Sequence, residues 1–207
     1  MPKISSTESD RLKILSNSEL KMSAVQALDE LMRSKPIDDI SVNSICEQAG
    51  MSRATFYRYF SDKYAISTWF LCYIQLQGVD RIGRSCSWYE GYFLNEALIM
   101  EHLDFFKNSA ASQDSHSLDR VVPKIRRNTL FTTLEDYHNV KIDDHMRFLV
   151  NAAVLMETHL FPSWHYGKYD CSLEEVCRWG VECVPHELFE LLNTPIKPEP
   201  NSVSRKL

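Results

Sequence analysis

Apolar residues recur every three or four positions along most of this chain, which is the spacing of one face of an α-helix. The first segment with this spacing covers residues 18–34, where Ser18 can cap the helix and Lys35-Pro36 stops it. Its apolar face consists of Met22, Val25, Leu28, Leu31 and Met32. The pattern therefore predicts an amphipathic helix that packs its apolar side against neighbouring helices.

The same spacing returns after residue 63 and continues almost to the end of the chain. The segments that it predicts to be helical are, approximately, residues 64–78, 89–109, 118–138, 145–164, 173–184 and 186–193. No stretch alternates apolar and polar residues between turn residues, as a half-buried strand does. The predicted fold class is therefore all-α.

The segment at residues 145–164 is apolar on nearly every side. Its apolar residues include Phe148, Leu149, Val150, Ala152, Ala153, Val154, Leu155, Met156 and Leu160. A helix of this kind is buried on all sides. In a chain of 207 residues, the simplest arrangement buries one side in its own domain and another against a second copy. We therefore expect a homodimer formed by this helix together with residues 172–184.

The predicted helix at residues 118–138 contains a run of basic residues close to its start. Pro123 lies near its start, where proline is tolerated. Lys124, Arg126 and Arg127 follow it. We expect these three side chains to form a solvated face of the helix.

Residues 41–63, with the sequence SVNSICEQAGMSRATFYRYFSDK, have the pattern of two short helices joined by a tight turn. Ser41 and Ser52 are suited to cap the two helices, because a serine hydroxyl accepts a hydrogen bond from an amide of the first turn. Gly50 stands where a helix ends in a left-handed conformation, which costs glycine little. Two helices with a short glycine-containing turn between them are typical of the helix-turn-helix motif.

The second helix of this motif has two different faces when its residues are placed about 100° apart. The face that we expect to point to the core is aromatic and contains Phe56, Tyr59 and Phe60. The opposite face consists of Ala54, Tyr57 and Arg58, with Arg53 at its flank. A helix in a major groove uses such arginines and tyrosines on base edges and phosphates. A solvated surface helix is the alternative, but the preceding turn favours DNA binding.

The stretch GMSRATFYRYFSDK at residues 50–63 resembles the signature of the TetR family of transcriptional regulators, and the resemblance covers residues 20–71. The positions that face DNA in the recognition helix of such proteins correspond to Ser52, Arg53, Ala54, Tyr57, Arg58 and Tyr59. The positions that touch the DNA backbone correspond to Val42 and Asn43. Lys63 corresponds to a lysine that contacts a phosphate in this family.

The resemblance implies a three-helix DNA-binding domain at residues 18–63 and a helical ligand-binding and dimerisation domain at residues 64–193. Residues 1–17 are expected to form a polar arm, and the proline-rich residues 194–207 a disordered tail. The implied function is ligand-responsive regulation, more often repression than activation, by a homodimer on a palindromic double-stranded DNA operator. The alternative is a helical adaptor or coactivator subunit that keeps the motif without binding DNA.

The net charge of −5 is unevenly distributed along the chain, and this distribution bears on the expected mode of DNA binding. Residues 1–63 contain nine Lys or Arg and nine Asp or Glu, so the whole acidic excess lies in residues 64–207. A DNA-binding domain without net charge has modest, salt-sensitive affinity for DNA of arbitrary sequence. The balance argues against a protein that coats DNA.

Six cysteines and seven histidines raise the question of a metal or redox site. Cys171, Cys177 and Cys183 are spaced six apart, which turns a helix by about 240° at each step, so they do not converge on one ion. We expect reduced thiols, no metal and no cofactor. The chain also lacks metalloprotease, nucleophile-elbow and phosphate-loop motifs, and we expect no enzyme activity.

Bulky aromatic and methionine side chains are frequent between residues 69 and 156, and they fill space less easily than Leu and Ala. They predict an apolar effector pocket for a hydrophobic or aromatic small molecule, because burying unpaired charge is costly. The candidate lining residues are Trp69, Tyr73, Trp88, Phe93, His102, Phe106, Phe131 and Tyr137. For each residue taken singly, a place in the ordinary core is the alternative.

No apolar run is long enough to cross a membrane. Residues 1–11 are polar and lack the apolar segment of a signal peptide. We therefore expect a cytoplasmic protein that does not bind membranes.

Overall fold

The computed structural model describes residues 12–196. Its α-helices are α1 (Ser18–Met32), α2 (Val42–Ala49), α3 (Arg53–Tyr59), α4 (Tyr64–Gln75), α5 (Trp88–Glu101), α6 (Leu103–Ala110), α7 (Leu118–Thr132), α8 (Asp144–His165), α9 (Leu173–Glu182) and α10 (His186–Leu192). Short 3₁₀ turns lie at Ile37–Asp39 and Val79–Arg81, and a π-helical turn at Thr133–Tyr137 follows α7. Within the described residues, β-type pairing is limited to an isolated bridge between Ile82 and Cys86. The prediction of an all-α fold is confirmed.

Two predicted terminal segments extend beyond the described part of the chain. Residues 1–11 of the expected arm and residues 197–207 of the expected tail lie outside it. Residues 12–15 form a helical turn, and the indole Nε1 of Trp69 donates to the carbonyl of Ile14 at 3.0 Å. The end of the expected arm is thus bonded to α4. Between residues 12 and 196, no helix combines the length and the apolar character that a bilayer span requires.

The chain divides into two compact units. The first contains residues 12–74 and Ile99–Lys124, and the second contains Gln75–Leu98 and residues 125–196. This division differs from the expected domain boundary at residue 63, because α4 up to Ile74 and the whole of α6 belong to the first unit. There, the ring of Phe70 stacks on Phe106 and meets Phe105 edge-on, each at 5.4 Å between ring centroids.

The core of the first unit joins α1 to the helix-turn-helix motif. Its most deeply buried apolar residues include Ala24, Leu28, Ile37, Ile40, Ile45, Phe56 and Ile66. Lys21 on α1 is an exception to the apolar pattern, with 6% of its surface exposed. Its Nζ donates to the carbonyl of Lys13 at 2.7 Å and lies 5.4 Å from the ring centre of Trp69. Desolvation by burial lowers the pKa of this amine.

The core of the second unit is formed mainly by α5, α7, α8, α9 and α10. Its fully buried residues include Trp88, Tyr92, Leu134, Val150, Ala153, Val154, Cys177, Leu188 and Leu192. At Gly180, a side chain would begin 2.7 Å from Cζ of Phe161, so α9 approaches α8 closely where it carries no side chain. Burial also raises the pKa of the Cys177 thiol to about 12, with the charges of Glu96 and Glu174 adding to the effect.

Arg126 lies inside the second unit, so the expectation of a solvated face for Lys124, Arg126 and Arg127 was wrong at this residue. Only 2% of its surface is exposed. Its Nε and Nη2 donate to the two carboxylate oxygens of Glu157 at 2.7 and 3.0 Å. Its Nη1 donates to the carbonyl of Val79 at 3.0 Å. The two parallel bonds to Glu157 and the bond to Val79 supply the hydrogen-bond partners that a buried arginine requires.

Tyr92 completes this buried network. Its hydroxyl donates to Oε1 of Glu157 at 2.9 Å. Desolvation, followed by the negative charge of Glu157, raises the pKa of Tyr92 well above its usual value. Desolvation alone would lower the pKa of Arg126, but the charge and hydrogen bonds of Glu157 outweigh it and raise that pKa. The arginine is therefore charged and the tyrosine neutral throughout the physiological pH range.

The predicted helix at residues 89–109 is interrupted. His102 leaves the helical conformation, with φ −124° and ψ 29°, and separates α5 from α6. No glycine or proline lies within ten residues on its C-terminal side, so no local breaker marked this position. The other predicted helices agree with the observed ones to within a few residues at their ends.

Candidate nucleic-acid interface

The two helices of the predicted motif, α2 and α3, are capped as the sequence indicated. The hydroxyl of Ser41 accepts from the amide of Ser44 at 3.1 Å, and that of Ser52 accepts from the amide of Thr55 at 3.0 Å. Gly50 ends α2 with φ 64° and ψ 30°. A β-carbon at Gly50 would meet no atom within 4 Å, so backbone conformation and not space favours glycine there.

The buried face of α3 positions the exposed one. Phe56 is fully buried and Phe60 nearly so, with 5.5 Å between their ring centroids. Tyr59 is half-buried, and Nζ of Lys21 lies 5.8 Å from its ring centre. The remaining predicted contacts on α3 and its cap are exposed and comprise Ser52, Arg53, Ala54, Tyr57 and Arg58. Because the aromatic side is held in the core, these side chains project together from one surface.

Asn43 on α2 lies next to this exposed surface. Nη1 of Arg53 donates a hydrogen bond to Oδ1 of Asn43. Nη2 of Arg53 lies 3.4 Å from the hydroxyl oxygen of Tyr57, and its guanidinium carbon is 5.4 Å from the centre of the same ring. Arg53 therefore contacts both Asn43 and Tyr57, although the sequence marked the three as separate contacts to DNA. Val42, the other predicted contact on α2, is half-buried.

Lys63 precedes α4, and its amine is already engaged within the protein. Its Nζ donates to the carbonyls of Asp38 at 2.6 Å and Ile40 at 3.0 Å. The same atom lies 5.2 Å from the ring centre of Tyr64. An ammonium group has three N–H donors, so one remains for a phosphate oxygen.

The segment between α6 and α7 contacts Asp38 and Asp62, close to Lys63. The sequence did not reveal these contacts. Ser112 donates to Oδ1 of Asp38 at 2.6 Å, and the hydroxyl of Tyr64 donates to the same oxygen at 2.8 Å. These two bonds lower the pKa of Asp38. Desolvation, followed by the bond to Asp38, raises the pKa of Tyr64 to about 12. His116 lies 3.2 Å from Asp62, whose side chain caps α4.

The eight residues expected to line an effector pocket are divided between the two units. Trp69, Tyr73, His102 and Phe106 belong to the first unit, and Trp88, Phe93, Phe131 and Tyr137 belong to the second. Several of them make close aromatic contacts: Trp69 with Tyr73 at 5.4 Å, and His102 with Phe70 at 4.9 Å. Trp88 is fully buried, whereas Tyr137 is 39% exposed.

An apolar groove of about 190 Å³ lies on the second unit, on the helices predicted to form a dimer. Its walls are formed by Met156, Leu160, Phe161, Tyr169, Val176, Trp179, Gly180 and Cys183. None of these residues was predicted to line an effector pocket. Within residues 12–196, no three His, Cys, Asp or Glu side chains are grouped so that they could hold a metal ion.

The helix-turn-helix region of this chain is similar to known regulatory proteins. Residues 25–67 match the family of bacterial regulatory proteins called tetR. No curated protein sequence matches the chain at a significant level. The family match at residues 25–67 covers α2, α3, the second half of α1 and the start of α4.

Several solved structures share the fold. The dihydroxyacetone kinase operon activator DhaS aligns with a TM-score of 0.55 and 17% identity, over 84% of this chain and 98% of that one. A tetR-family regulator from Streptomyces coelicolor aligns with a TM-score of 0.50 and 15% identity, over 86% and 88%. A TetR regulator from Rhodococcus sp. RHA1 aligns with a TM-score of 0.50 and 17% identity, over 84% and 98%.

At such identities these alignments describe the fold, while the sequence match describes the DNA-binding helices. The matched range includes α3, whose exposed arginines and tyrosine lie opposite its buried aromatic face. The DNA-binding helices of this chain are similar to those of the tetR family of bacterial regulatory proteins, and its fold is similar to that of solved TetR-family transcriptional regulators.

Proposed function

We propose that this protein is a cytoplasmic, ligand-responsive repressor that binds a palindromic operator as a homodimer. The observation that carries the DNA-binding part is the exposed face of α3, where Arg53, Tyr57 and Arg58 stand opposite the buried Phe56. Arginine and tyrosine are suited to base edges and phosphates, and a helix fits the major groove. Transcription from the selected operator, with and without the protein, decides between repression and activation.

The competing function is that of an adaptor that keeps the motif without binding DNA. Selection from a library of random duplexes with the purified protein separates the two. A regulator enriches one sequence, and two-fold symmetry makes that sequence a palindrome with half-sites about one helical turn, or a multiple of it, apart. An adaptor enriches none.

Arg58→Ala and Lys63→Ala are expected to weaken operator binding in different ways. If Arg58 reads a base, its loss costs about 1–3 kcal/mol and relaxes the preference at one operator position. Loss of the Lys63 ammonium weakens binding to all sequences alike and lowers the salt slope by about one unit. Fluorescence anisotropy between low and high salt, on the operator and on scrambled DNA, measures both effects.

The control for these two variants is Arg33→Ala, which removes the same charge from the exposed end of α1. The Arg33 side chain is 69% exposed and pairs with Asp29 and Glu30 on its own helix. Operator binding by this variant should match that of the wild type. Unchanged operator affinity in both Arg58→Ala and Lys63→Ala would contradict the assignment of this surface to DNA.

Dimerisation is supported by apolar side chains that the second unit leaves in solvent. Phe148 and Leu155 on α8 are 70% and 66% exposed, and Trp179 on α9 is 46% exposed. Phe148 and Leu155 are seven residues apart, two turns along the same side of the helix. Exposed apolar patches are a feature of protein interfaces. A two-fold dimer would cover them on both copies.

The proposed effector is a hydrophobic or aromatic small molecule, as predicted from the sequence. We expect such a ligand to raise the melting temperature and to release the protein from its operator, because a ligand shifts a population only by differential binding. A screen of apolar metabolites, scored by thermal shift and by anisotropy on the operator, tests this. Release by polyanions alone would contradict an apolar site.

A further inference from the structure

Three side chains at the exposed surface of the helix-turn-helix motif form a connected group. Arg53 and Tyr57 lie on α3, and Asn43 lies on α2. Oδ1 of Asn43 accepts a hydrogen bond from Nη1 of Arg53, and the hydroxyl oxygen of Tyr57 is 3.4 Å from Nη2. The guanidinium carbon is 5.4 Å from the centre of the Tyr57 ring. Each of the two terminal nitrogens of the arginine is therefore bonded to a residue of its own motif.

This arrangement restricts an otherwise flexible side chain. An arginine on a surface helix loses up to about 2 kcal/mol of side-chain entropy when a ligand fixes it. A guanidinium already held by Asn43 and Tyr57 has lost part of that freedom before DNA arrives. Preorganisation of this kind favours directed recognition over a loose ionic contact.

The donors that remain on Arg53 suffice for a base. A guanidinium has five N–H groups, and the bonds to Asn43 and Tyr57 use two of them. Three remain for an outside acceptor. The major-groove edge of guanine presents two acceptors, O6 and N7, and arginine in a fixed orientation bonds to both. A phosphate contact, by contrast, places little demand on orientation.

We propose that Asn43 is a positioning residue that holds Arg53 for reading a guanine, and that it is not an independent contact to the DNA backbone. The inference rests on the proposed DNA-binding function and goes beyond it, because it assigns base specificity to a pair of residues on two different helices. Tyr57 supports the same orientation through the other terminal nitrogen of the guanidinium.

The test is a double-mutant cycle on the full-length protein. Wild type, Asn43→Ala, Arg53→Ala and the double variant are each used to select binding sites from a random duplex library. Their affinities are then measured on the selected wild-type duplex and on duplexes with each base pair replaced. Circular dichroism verifies that all variants retain the helical content and the melting temperature of the wild type.

Arg53→Ala is expected to lower the discrimination at one G·C pair by roughly 5- to 150-fold, the range of a bidentate arginine–guanine contact. Asn43→Ala should lower the discrimination at the same pair, by about tenfold. In the Arg53→Ala background, Asn43→Ala should change affinity by less than about twofold, because its effect runs through the arginine.

Asn43→Asp provides the conservative variant. The carboxylate keeps the acceptor for Arg53, so preference for the G·C pair should return, while repulsion from phosphates weakens binding to all sequences. A purely structural role of Asn43 would not restore this preference selectively.

Additive losses from Asn43→Ala and Arg53→Ala would overturn the inference, since independent contacts add. A loss of preference at different base pairs would overturn it as well. Failure of the wild-type protein to enrich any sequence would instead refute the proposed DNA-binding function, and this inference with it.

Discussion

Glu157→Ala is expected to reduce the free energy of unfolding by about 3–5 kcal/mol, because it leaves the charge of Arg126 buried without its partner. The carboxylate accepts two bonds from Arg126, at 2.7 and 3.0 Å, and one from Tyr92 at 2.9 Å. Glu157 is 8% exposed and Arg126 2%, so water does not replace these bonds without rearrangement of the core. Urea denaturation followed by far-ultraviolet circular dichroism measures the loss.

Two further variants test the physical reason for this loss. Glu190→Ala removes a carboxylate from the exposed side of α10 and should change stability by less than about 0.5 kcal/mol. The triple variant Tyr92→Phe, Arg126→Met and Glu157→Leu removes every member of the network and should recover most of the stability lost in Glu157→Ala. A loss below about 1 kcal/mol in Glu157→Ala would contradict a desolvated ion pair.

Leu155→Glu is expected to dissociate the proposed dimer. Leu155 is 66% exposed and lies on the same side of α8 as Phe148. In a two-fold interface each substitution occurs twice, and burial of one leucine contributes about 1.5–3 kcal/mol. Loss of two such contacts corresponds to a dissociation constant raised by roughly 10²- to 10⁴-fold. Sedimentation velocity from nanomolar to micromolar concentration measures this change.

The matched control for this experiment is Met100→Glu. Met100 is also an exposed apolar residue on a helix, at 43%, but lies on α5 outside the groove. Its substitution should leave the association constant unchanged. A dimer of wild-type affinity in Leu155→Glu would place the interface on another face. In the monomeric form we also expect weaker operator binding, because the two half-sites would no longer be bound by one linked pair.

The sequence by itself determined the helix-turn-helix motif. The cap at Ser41, the cap at Ser52 and the left-handed turn at Gly50 are three separate local features. In each of them the bonded atoms lie within about four residues of each other. Such local bonds depend on the residue types at fixed spacing, so the pattern predicts them directly. The exposed face of α3 was predictable for the same reason, since helical periodicity alone separates Phe56 from Arg58.

Tertiary structure alone decided which charges are buried. Arg126 stands in a basic run that reads as a solvated face, yet it pairs with Glu157, which is 31 residues away. The residues next to Arg126 and next to Glu157 in the sequence give no indication of this pairing. Lys63 likewise donates to the carbonyls of Asp38 and Ile40, 25 and 23 residues away.

The division into units and the contact between α2 and α3 also required the folded chain. The aromatic rings of α6 join the first unit by packing on Phe70, more than thirty residues earlier in the chain. Asn43 and Arg53 meet only because the turn at Gly50 brings two helices together. Periodicity specifies which face of a helix is apolar, but the partner of that face is chosen by packing and desolvation across the whole core.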